Sequence, residues 1–139
     1  MKKIAVFQDE FRFLSNFWPS TVTFEGIEYP SVEHAYVAAK TTNLQLRKQI
    51  AACKIPAEVK KLGRKLKLRP NWDDVKISVM RELVREKFTR HPDLRRLLKD
   101  TGDAELIEGN WWGDTFWGRY NGVGKNWLGK ILMEIRDEL

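Results

Sequence analysis

The segment PSVEHAYVAAKT, residues 30–41, is the stretch around which the rest of this chain is predicted to fold. Ser31 is a natural N-cap after Pro30, so a helix is predicted to begin here and to run through about Thr41. At 100° per residue, one side of this helix is apolar and consists of Val32, Ala35, Tyr36 and Ala39. The segment therefore predicts an amphipathic helix that packs on a core.

Two charged residues, Glu33 and Lys40, fall together on the border of that apolar side. Seven residues correspond to roughly 10.5 Å of rise, which is beyond the spacing of a helix-stabilising ion pair. Two interpretations remain. Both residues are solvated, with their apolar stems covering the core, or they bind a substrate between them in a cleft.

The segment before this helix is predicted to be mostly extended. Lys3 to Phe7 has the composition of a short strand. Thr21–Phe24 and Ile27–Tyr29 flank a Glu25-Gly26 pair, which is typical of a β-hairpin. A small antiparallel sheet is therefore expected.

The segment after it is predicted to be mainly helical. Apolar periodicity and capping residues predict helices over residues 44–53, 56–62 with a stop at Gly63, 73–89, 93–99 and from a cap at Asn126 to the C-terminus. The longest of these is expected to place Val75, Val79, Leu83 and Phe88 on one side and its Lys and Arg residues on the other. With a strand near residues 104–108, the prediction is an α+β fold, a mainly helical single domain over residues 1–139 with a small antiparallel sheet.

The stretch GNWWGDTFWGRYNGVGK, residues 109–125, has neither helical nor strand periodicity. It is predicted to form one long loop. Its five aromatic residues argue against disorder, and structureless loops of this length in compact domains are usually functional.

Composition limits the classes of protein. The formal net charge is +6, which favours anionic partners such as phosphates or DNA, and six Trp residues suit a cleft that binds by stacking. A single Cys and two His residues exclude an internal disulfide and a Cys/His zinc site. No apolar run is long enough to cross a bilayer, and Gln8-Asp9-Glu10 interrupts the basic start at Met1, so we expect a cytoplasmic protein without membrane contact.

Six motifs in order resemble the NADAR family, and the similarity runs from about Phe13 to Arg136. The motifs are FLSNFWPSTVTFEGIEYPSVEHAYVAAKT, the Gly63-Arg64 pair, NWDDVK, TGDAELIE, GDTFWG and GVGKNWLGKILMEIR. The resemblance implies a largely helical domain that cleaves N-glycosidic bonds. The implied substrates are ribosylamino-pyrimidine phosphates of riboflavin synthesis or ADP-ribose attached to guanine in DNA.

The resemblance also implies the residues that act. Glu33 and Asp114 match the family's two carboxylates, Lys40 its lysine, and Trp72 its tryptophan. Two carboxyl groups suit the cleavage of a ribose C1–N bond, because the base needs a proton and positive charge develops at C1. A neutral Lys40 amine would allow a Schiff-base route.

Further residues are candidates for binding the substrate. Cations suit phosphates, aromatic rings suit stacking, and small polar residues or Gly suit close contact with ribose or diphosphate. The predicted binding residues are Arg12, Ser15, Asn16, Arg64, Trp72, Lys76, Trp112, Trp117, Gly118 and Asn126. Core packing remains the alternative for each Trp, and Asp103 or Glu108 is the alternative to Asp114 as the second carboxylate.

The favoured hypothesis is an N-glycosidase that removes ADP-ribose from guanine in DNA, since the basic charge suits a polyanion. Hydrolysis of riboflavin intermediates is the alternative within the same reaction class. A non-catalytic ADP-ribose or nucleic-acid binding module is the alternative outside it. The chemistry requires no cofactor and no metal, and the sequence leaves the oligomeric state open.

Overall fold

The computed structural model describes residues 3–139, so the predicted basic start at Met1 and Lys2 lies outside the described residues. A 3₁₀ helix covers Asp9–Leu14. Six α-helices follow: α1 Val32–Ala39, α2 Leu44–Ala51, α3 Pro56–Arg64, α4 Trp72–Arg90, α5 Pro92–Asp100 and α6 Trp127–Glu138. Six short strands complete the fold: β1 Lys3–Ile4, β2 Val22–Phe24, β3 Ile27–Tyr29, β4 Glu105–Leu106, β5 Gly109–Asn110 and β6 Arg119–Tyr120.

The strands form three two-stranded sheets. The pair β2–β3 is antiparallel, as predicted, whereas β1–β4 and β5–β6 are parallel. The connections are 100 residues for β1–β4 and eight residues for β5–β6, so neither pair has the two-residue turn by which a hairpin is recognised in sequence. The α+β, mainly helical fold class is confirmed.

The described residues group into two compact units. The first consists of the described residues up to Ser15 together with His91–Leu139, and the second is Asn16–Arg90. The prediction of a single domain over residues 1–139 stays a prediction. Within residues 3–139, every helix is too short or too polar to span a bilayer.

The second unit contains the predicted hairpin and the helices α1 to α4. The turn residues Glu25 and Gly26 have φ of 47° and 86°, the left-handed pair that a tight two-residue hairpin requires. Ser31 is the N-cap of α1, as predicted, and its hydroxyl accepts a hydrogen bond from the His34 backbone N–H at 3.2 Å.

Two helix predictions in this unit are wrong in detail. Helix α3 does not stop at Gly63, because the glycine lies inside it and a Cβ there would come within 3.0 Å of Val37 on α1. Glycine fits this position because two helices pack closely there, and not because it ends the helix as a C-cap. In α4, Val79 is only half-buried, whereas Lys87, expected on the solvent side, is 1% exposed.

The first unit contains the parallel strand pairs, α5 and α6. The inward side of α6 is the predicted one, because Leu128, Ile131, Leu132 and Ile135 are buried. The predicted structureless loop at residues 109–125 instead contains β5 and β6, with a further bridge between Tyr120 and Val123. These strands are two residues long, which is too short for periodicity to appear.

Candidate functional site

Helix α1 is buried nearly all round. The sequence predicted one apolar side, but His34, Val37 and Ala38 are buried as well, so the amphipathic interpretation is wrong. Glu33 is the one residue of the helix that is not buried, and Lys40, its C-cap, is also partly exposed. The two charged residues therefore lie where a core helix reaches the surface, and not along a solvated face.

Lys40 lies beside a buried aromatic pair. Its Nζ is 5.4 Å from the centre of the Tyr36 ring, and the Tyr36 and Trp72 rings are 5.3 Å apart with an interplanar angle of 53°. The Lys40 carbonyl accepts a 2.7 Å hydrogen bond from the Arg69 backbone N–H. The structure thus brings together Lys40 and Trp72 of the predicted set, with Tyr36 between them.

Trp72 is only 6% exposed and begins helix α4. Its ring packs against Tyr36, which the sequence had placed on the apolar side of α1. The structure therefore shows the packing role of Trp72, and its role in binding a base stays a prediction.

Arg47 on α2 holds the end of α1 and was missed by the sequence analysis. Its side chain is buried, and Nε donates to the carbonyls of Ala38 at 3.2 Å and Thr41 at 2.8 Å. Its Nη1 pairs with Glu25 at 2.7 Å. Arg47 therefore stabilises the turn that carries Lys40. A signal was available, since Arg47 is three residues before the buried Ile50 on the inward side of α2.

His34 ties α1 to the end of α2. A carbonyl oxygen can only accept, so His34 Nε2 carries the ring proton and donates to the Cys53 carbonyl at 3.0 Å. In the neutral ring Nδ1 then accepts from the Ser31 hydroxyl at 2.7 Å, and the same hydroxyl accepts from the His34 backbone N–H. Burial lowers the pKa of His34, opposed in part by the bond to Cys53. The ring is a neutral crosslink within the second unit.

Three predicted phosphate or ribose contacts also belong to the second unit. The Asn16 carbonyl accepts from the Glu33 backbone N–H at 3.0 Å, which brings these two predicted residues together. Lys76 forms an ion pair with Asp73 at 3.0 Å, and its side chain is 22% exposed. Arg64 is exposed at the end of α3. The binding roles of all three stay predictions.

Asp114, in the first unit, organises its own loop. Its Oδ1 accepts hydrogen bonds from the backbone N–H groups of Phe116 and Trp117, both at 2.9 Å. Its backbone N–H and carbonyl both bond to the Asn110 side chain, at 3.0 and 2.9 Å. The carboxylate is thus held in one orientation by backbone donors.

Glu108 lies next to the same network. Its Oε1 accepts from Asn110 Nδ2 at 3.0 Å, so Asn110 joins the Glu108 and Asp114 segments. A Cβ at Gly118 would overlap the carbonyl and the carboxylate of Glu108. Asp103 is exposed in the turn before β4 and takes no part in this network. Asp114 and Glu108 therefore share one hydrogen-bond network, and which of the three residues is the second carboxylate stays a prediction.

The aromatic residues of this loop differ in exposure. Trp111 is 73% exposed and Trp112 is 49% exposed, and their rings meet edge to face at 4.8 Å. Trp117 is partly buried and meets Phe116 in the same geometry at 4.8 Å. Trp112 and Trp117 are therefore both accessible in part, and stacking on a substrate stays a prediction for each.

Asn126 is a structural residue beneath the loop. It is 1% exposed, and its side chain donates to the Leu106 carbonyl at 2.9 Å and accepts from the Glu108 N–H at 3.0 Å. The predicted N-cap position is right, but the side chain makes no capping bond because these two backbone groups occupy it. A role in substrate binding stays a prediction.

Arg12 and Ser15 end the 3₁₀ helix of the first unit. The Ser15 N–H donates to the Arg12 carbonyl at 2.9 Å, and the Arg12 side chain is exposed. The same unit contains a cavity of about 500 Å³ whose lining includes Lys3, Val6, Asn110, Trp111, Arg119 and Asn121. That volume is within the range of small-molecule sites.

Comparison with known proteins gives consistent results. The NADAR domain model matches residues 5–139. Over 136 residues the chain is 39% identical to the N-glycosidase YbiA of Escherichia coli, covering 94% of this chain and 83% of YbiA. It is 40% identical over 130 residues to a riboflavin biosynthesis protein of Vibrio vulnificus, covering 91% of this chain but only 35% of that protein.

The fold agrees as well. The NMR structure of E. coli YbiA matches with a TM-score of 0.86 at 34% sequence identity, covering 99% of this chain and 86% of the YbiA chain. A sequence match and a structural match of this extent point to the same relative. The chain therefore belongs to the NADAR domain family, and the activity that its relatives support for it is that of an N-glycosidase.

Proposed function

We propose that this protein hydrolyses the C1–N bond of an ADP-ribosyl or ribosyl-phosphate substrate, with ADP-ribose on guanine in DNA as the leading candidate. The proposal rests on the exposure of two charged residues at the surface of α1. Glu33 and Lys40 are its partly exposed charged positions, whereas seven residues of the same helix are buried. A cleft that binds a substrate at this surface would account for both charged residues on a helix that is otherwise buried.

The proposed reaction begins when the C1–O4 bond of the ribose breaks, as O4 takes a proton from Glu33 and C1 forms an imine to the base nitrogen. The Lys40 amine adds to C1, and Glu33 carries a proton from the Lys40 nitrogen to the base nitrogen. The C1–N bond to the base then breaks, which leaves a protonated C1=N Schiff base to Lys40. Water then adds to C1, the C1–N bond to Lys40 breaks, and the sugar is released with an aldehyde that closes to the ring. No cofactor or metal enters any step.

The second carboxylate is assigned to Asp114 through the family resemblance, with Glu108 or Asp103 as the alternative. Asp114 would stabilise positive charge at C1 as the base leaves. Its fixed orientation supports this role, because two backbone donors already hold Oδ1. Glu108 supports the alternative, because it is half-buried and joined to the same loop through Asn110.

Two substrate classes are proposed in order. The net charge of +6 supports DNA-linked ADP-ribose. The name of the V. vulnificus relative supports a ribosylamino-pyrimidine phosphate as the second candidate. The N-glycosidase names of the YbiA relatives favour catalysis over a non-catalytic binding module.

The test uses purified protein and a DNA oligonucleotide carrying ADP-ribosylated guanine, with released ADP-ribose followed by mass spectrometry. Wild type is expected to release ADP-ribose, and Lys40→Ala to lose at least about 100-fold in rate. The matched control is Lys48→Ala, because Lys48 is an exposed lysine on the neighbouring helix α2. Comparable loss in both variants would contradict the proposed role of Lys40.

A trapping experiment tests the intermediate directly. Borohydride added during turnover should reduce the Schiff base to a stable adduct whose mass locates to the peptide containing Lys40. Glu33→Gln should slow release by roughly 10²- to 10⁴-fold. If the protein releases no ADP-ribose from DNA but hydrolyses a ribosylamino-pyrimidine phosphate, the second substrate candidate becomes the favoured one. If it hydrolyses neither compound, both substrate candidates are wrong.

A further inference from the structure

The positive charge of this protein is concentrated in one short segment. Residues 54–69 contain seven Lys and Arg residues and a single Glu, a net charge of +6. The other 123 residues contain 18 basic and 18 acidic residues and are neutral overall. The whole net charge of the chain therefore resides in a segment of 16 residues, which covers α3 and its two flanking turns.

Most of these cations point into solvent. We call the exposed set the basic face: Lys54, Lys60, Lys61, Arg64, Lys65 and Lys67. Lys60 Nζ lies 5.2 Å from the centre of the Phe17 ring. For the other five, the part of the chain that the structure describes supplies no side-chain hydrogen bond and no ion pair.

An ordinary structural explanation covers only part of the basic face. Cations in the last turn of a helix interact favourably with its negative end, which accounts for Lys61 and Arg64. Lys54 and Lys67 lie outside α3 and gain nothing from it. Two other cations of the second unit instead pair with carboxylates, Arg47 with Glu25 and Arg90 with Glu28. Like charges that are close in sequence repel one another, so an external anion would relieve the repulsion.

The basic face is also rigidly connected to the proposed active helix. Gly63 on α3 is packed against Val37 of α1, where even a Cβ would come within 3.0 Å. The turn before α3 is joined to α1 by the bond from His34 to the Cys53 carbonyl at 3.0 Å. A polymer held on the basic face is thus held in a fixed position relative to Glu33 and Lys40.

We propose that the basic face binds the phosphate backbone of DNA, independently of sequence. Five of its six residues are lysines, which recognise phosphate as point charges and not base edges, so positioning on the backbone is the chemistry they fit. The inference rests on the proposed function for its substrate class, since it supplies the means by which a DNA substrate is held.

The test measures binding of an unmodified fluorescein-labelled DNA duplex by anisotropy between 50 and 200 mM KCl. About four phosphate contacts give a slope of log K against log salt of roughly −3.6, which weakens binding about 150-fold over that range. Lys61→Gln/Lys65→Gln/Lys67→Gln should reduce the size of the slope by about 2.7 and weaken binding at 50 mM by at least about tenfold.

The matched control has the same change in charge at exposed positions outside the basic face, Arg95→Gln/Lys99→Gln/Lys130→Gln. This variant should bind within about twofold of wild type, because none of its three positions belongs to the basic face that contacts phosphate. Equal losses in the two triple variants would show that net charge alone drives binding and would overturn the inference. Failure of wild type to bind the duplex at 50 mM, or binding only to phosphatidylserine vesicles, would overturn it as well.

Turnover separates this inference from the proposed function. The basic-face variant should keep wild-type turnover of a small ADP-ribosyl nucleoside and show a raised KM for modified DNA. If modified DNA is not a substrate but the variant still loses duplex binding relative to the control, the proposed substrate fails and the basic face stands. If modified DNA is turned over by the variant with an unchanged KM and duplex binding is unchanged, the basic face fails and the substrate stands.

Discussion

Lys87→Met is expected to change how stability depends on pH. Lys87 on α4 is 1% exposed, and desolvation lowers its pKa from 10.5 to about 7. Between those values the unfolded chain binds a proton that the folded protein does not, so wild-type stability must rise as pH rises from 7 towards 10.5. At about 1.36 kcal/mol per pKa unit, the change between pH 7 and pH 10 is about 3.5 kcal/mol.

Methionine keeps the apolar stem of the lysine and removes the titration. Urea unfolding of wild type and Lys87→Met at pH 7, 8, 9 and 10 gives the difference in free energy of unfolding at each pH. That difference isolates Lys87 from other groups that titrate in this range. We expect the variant to be more stable relative to wild type at pH 7 than at pH 10, by about 3.5 kcal/mol. A difference that stays constant within about 1 kcal/mol would refute the argument that burial lowers this pKa.

Three further substitutions test the framework of the site. Arg47→Met should reduce the free energy of unfolding by about 3 kcal/mol, because the hydrogen bonds to the Ala38 and Thr41 carbonyls are lost. The control Lys48→Met should change the free energy of unfolding by less than about 0.5 kcal/mol. Equal effects would contradict the stabilising role of Arg47. Gly118→Ala should lower stability by more than about 3 kcal/mol, because its Cβ would overlap the backbone carbonyl of Glu108. Gly113→Ala should cost about 1 kcal/mol, because φ there is 85° but the surrounding space is open. Thermal unfolding compares the two variants, and a larger loss for Gly113→Ala would contradict this reasoning. Ser31→Ala should cost about 2 kcal/mol, because it removes the N-cap bond and leaves the buried His34 Nδ1 without its donor, and an unchanged urea midpoint would show that the hydroxyl is dispensable.

Local signals in the sequence predicted the helices and the hairpin well. The Glu25-Gly26 turn and the Ser31 cap lie where predicted, because both depend on residues that are neighbours in sequence. The inward residues of α6 were also found from periodicity alone. Helix ends were less certain, as with Gly63, whose reason is a contact with another helix.

The candidate site was predictable only in part. The motif around Glu33 and Lys40 could be recognised, and their shared border follows from helix geometry. Arg47 and Asn110, which hold the segments around Lys40 and Asp114 in shape, were missed although most of their partners are backbone groups only 4 to 9 residues away. Backbone groups are the same at nearly every position, so these bonds have no motif, and only the inward position of Arg47 on α2 indicated its burial.

The sequence by itself determined the family, the positions of the main helices, and the types of residue available for glycosidic chemistry. Only the tertiary structure decided which of those residues are buried. Periodicity records how residues are arranged around one helix, whereas burial depends on how many other elements pack against it. Helix α1 was expected to be half-solvated and is buried nearly all round, and Lys87 was expected in solvent and lies in the core. Both differences arise because neighbouring elements cover sides that the sequence of one helix cannot reveal.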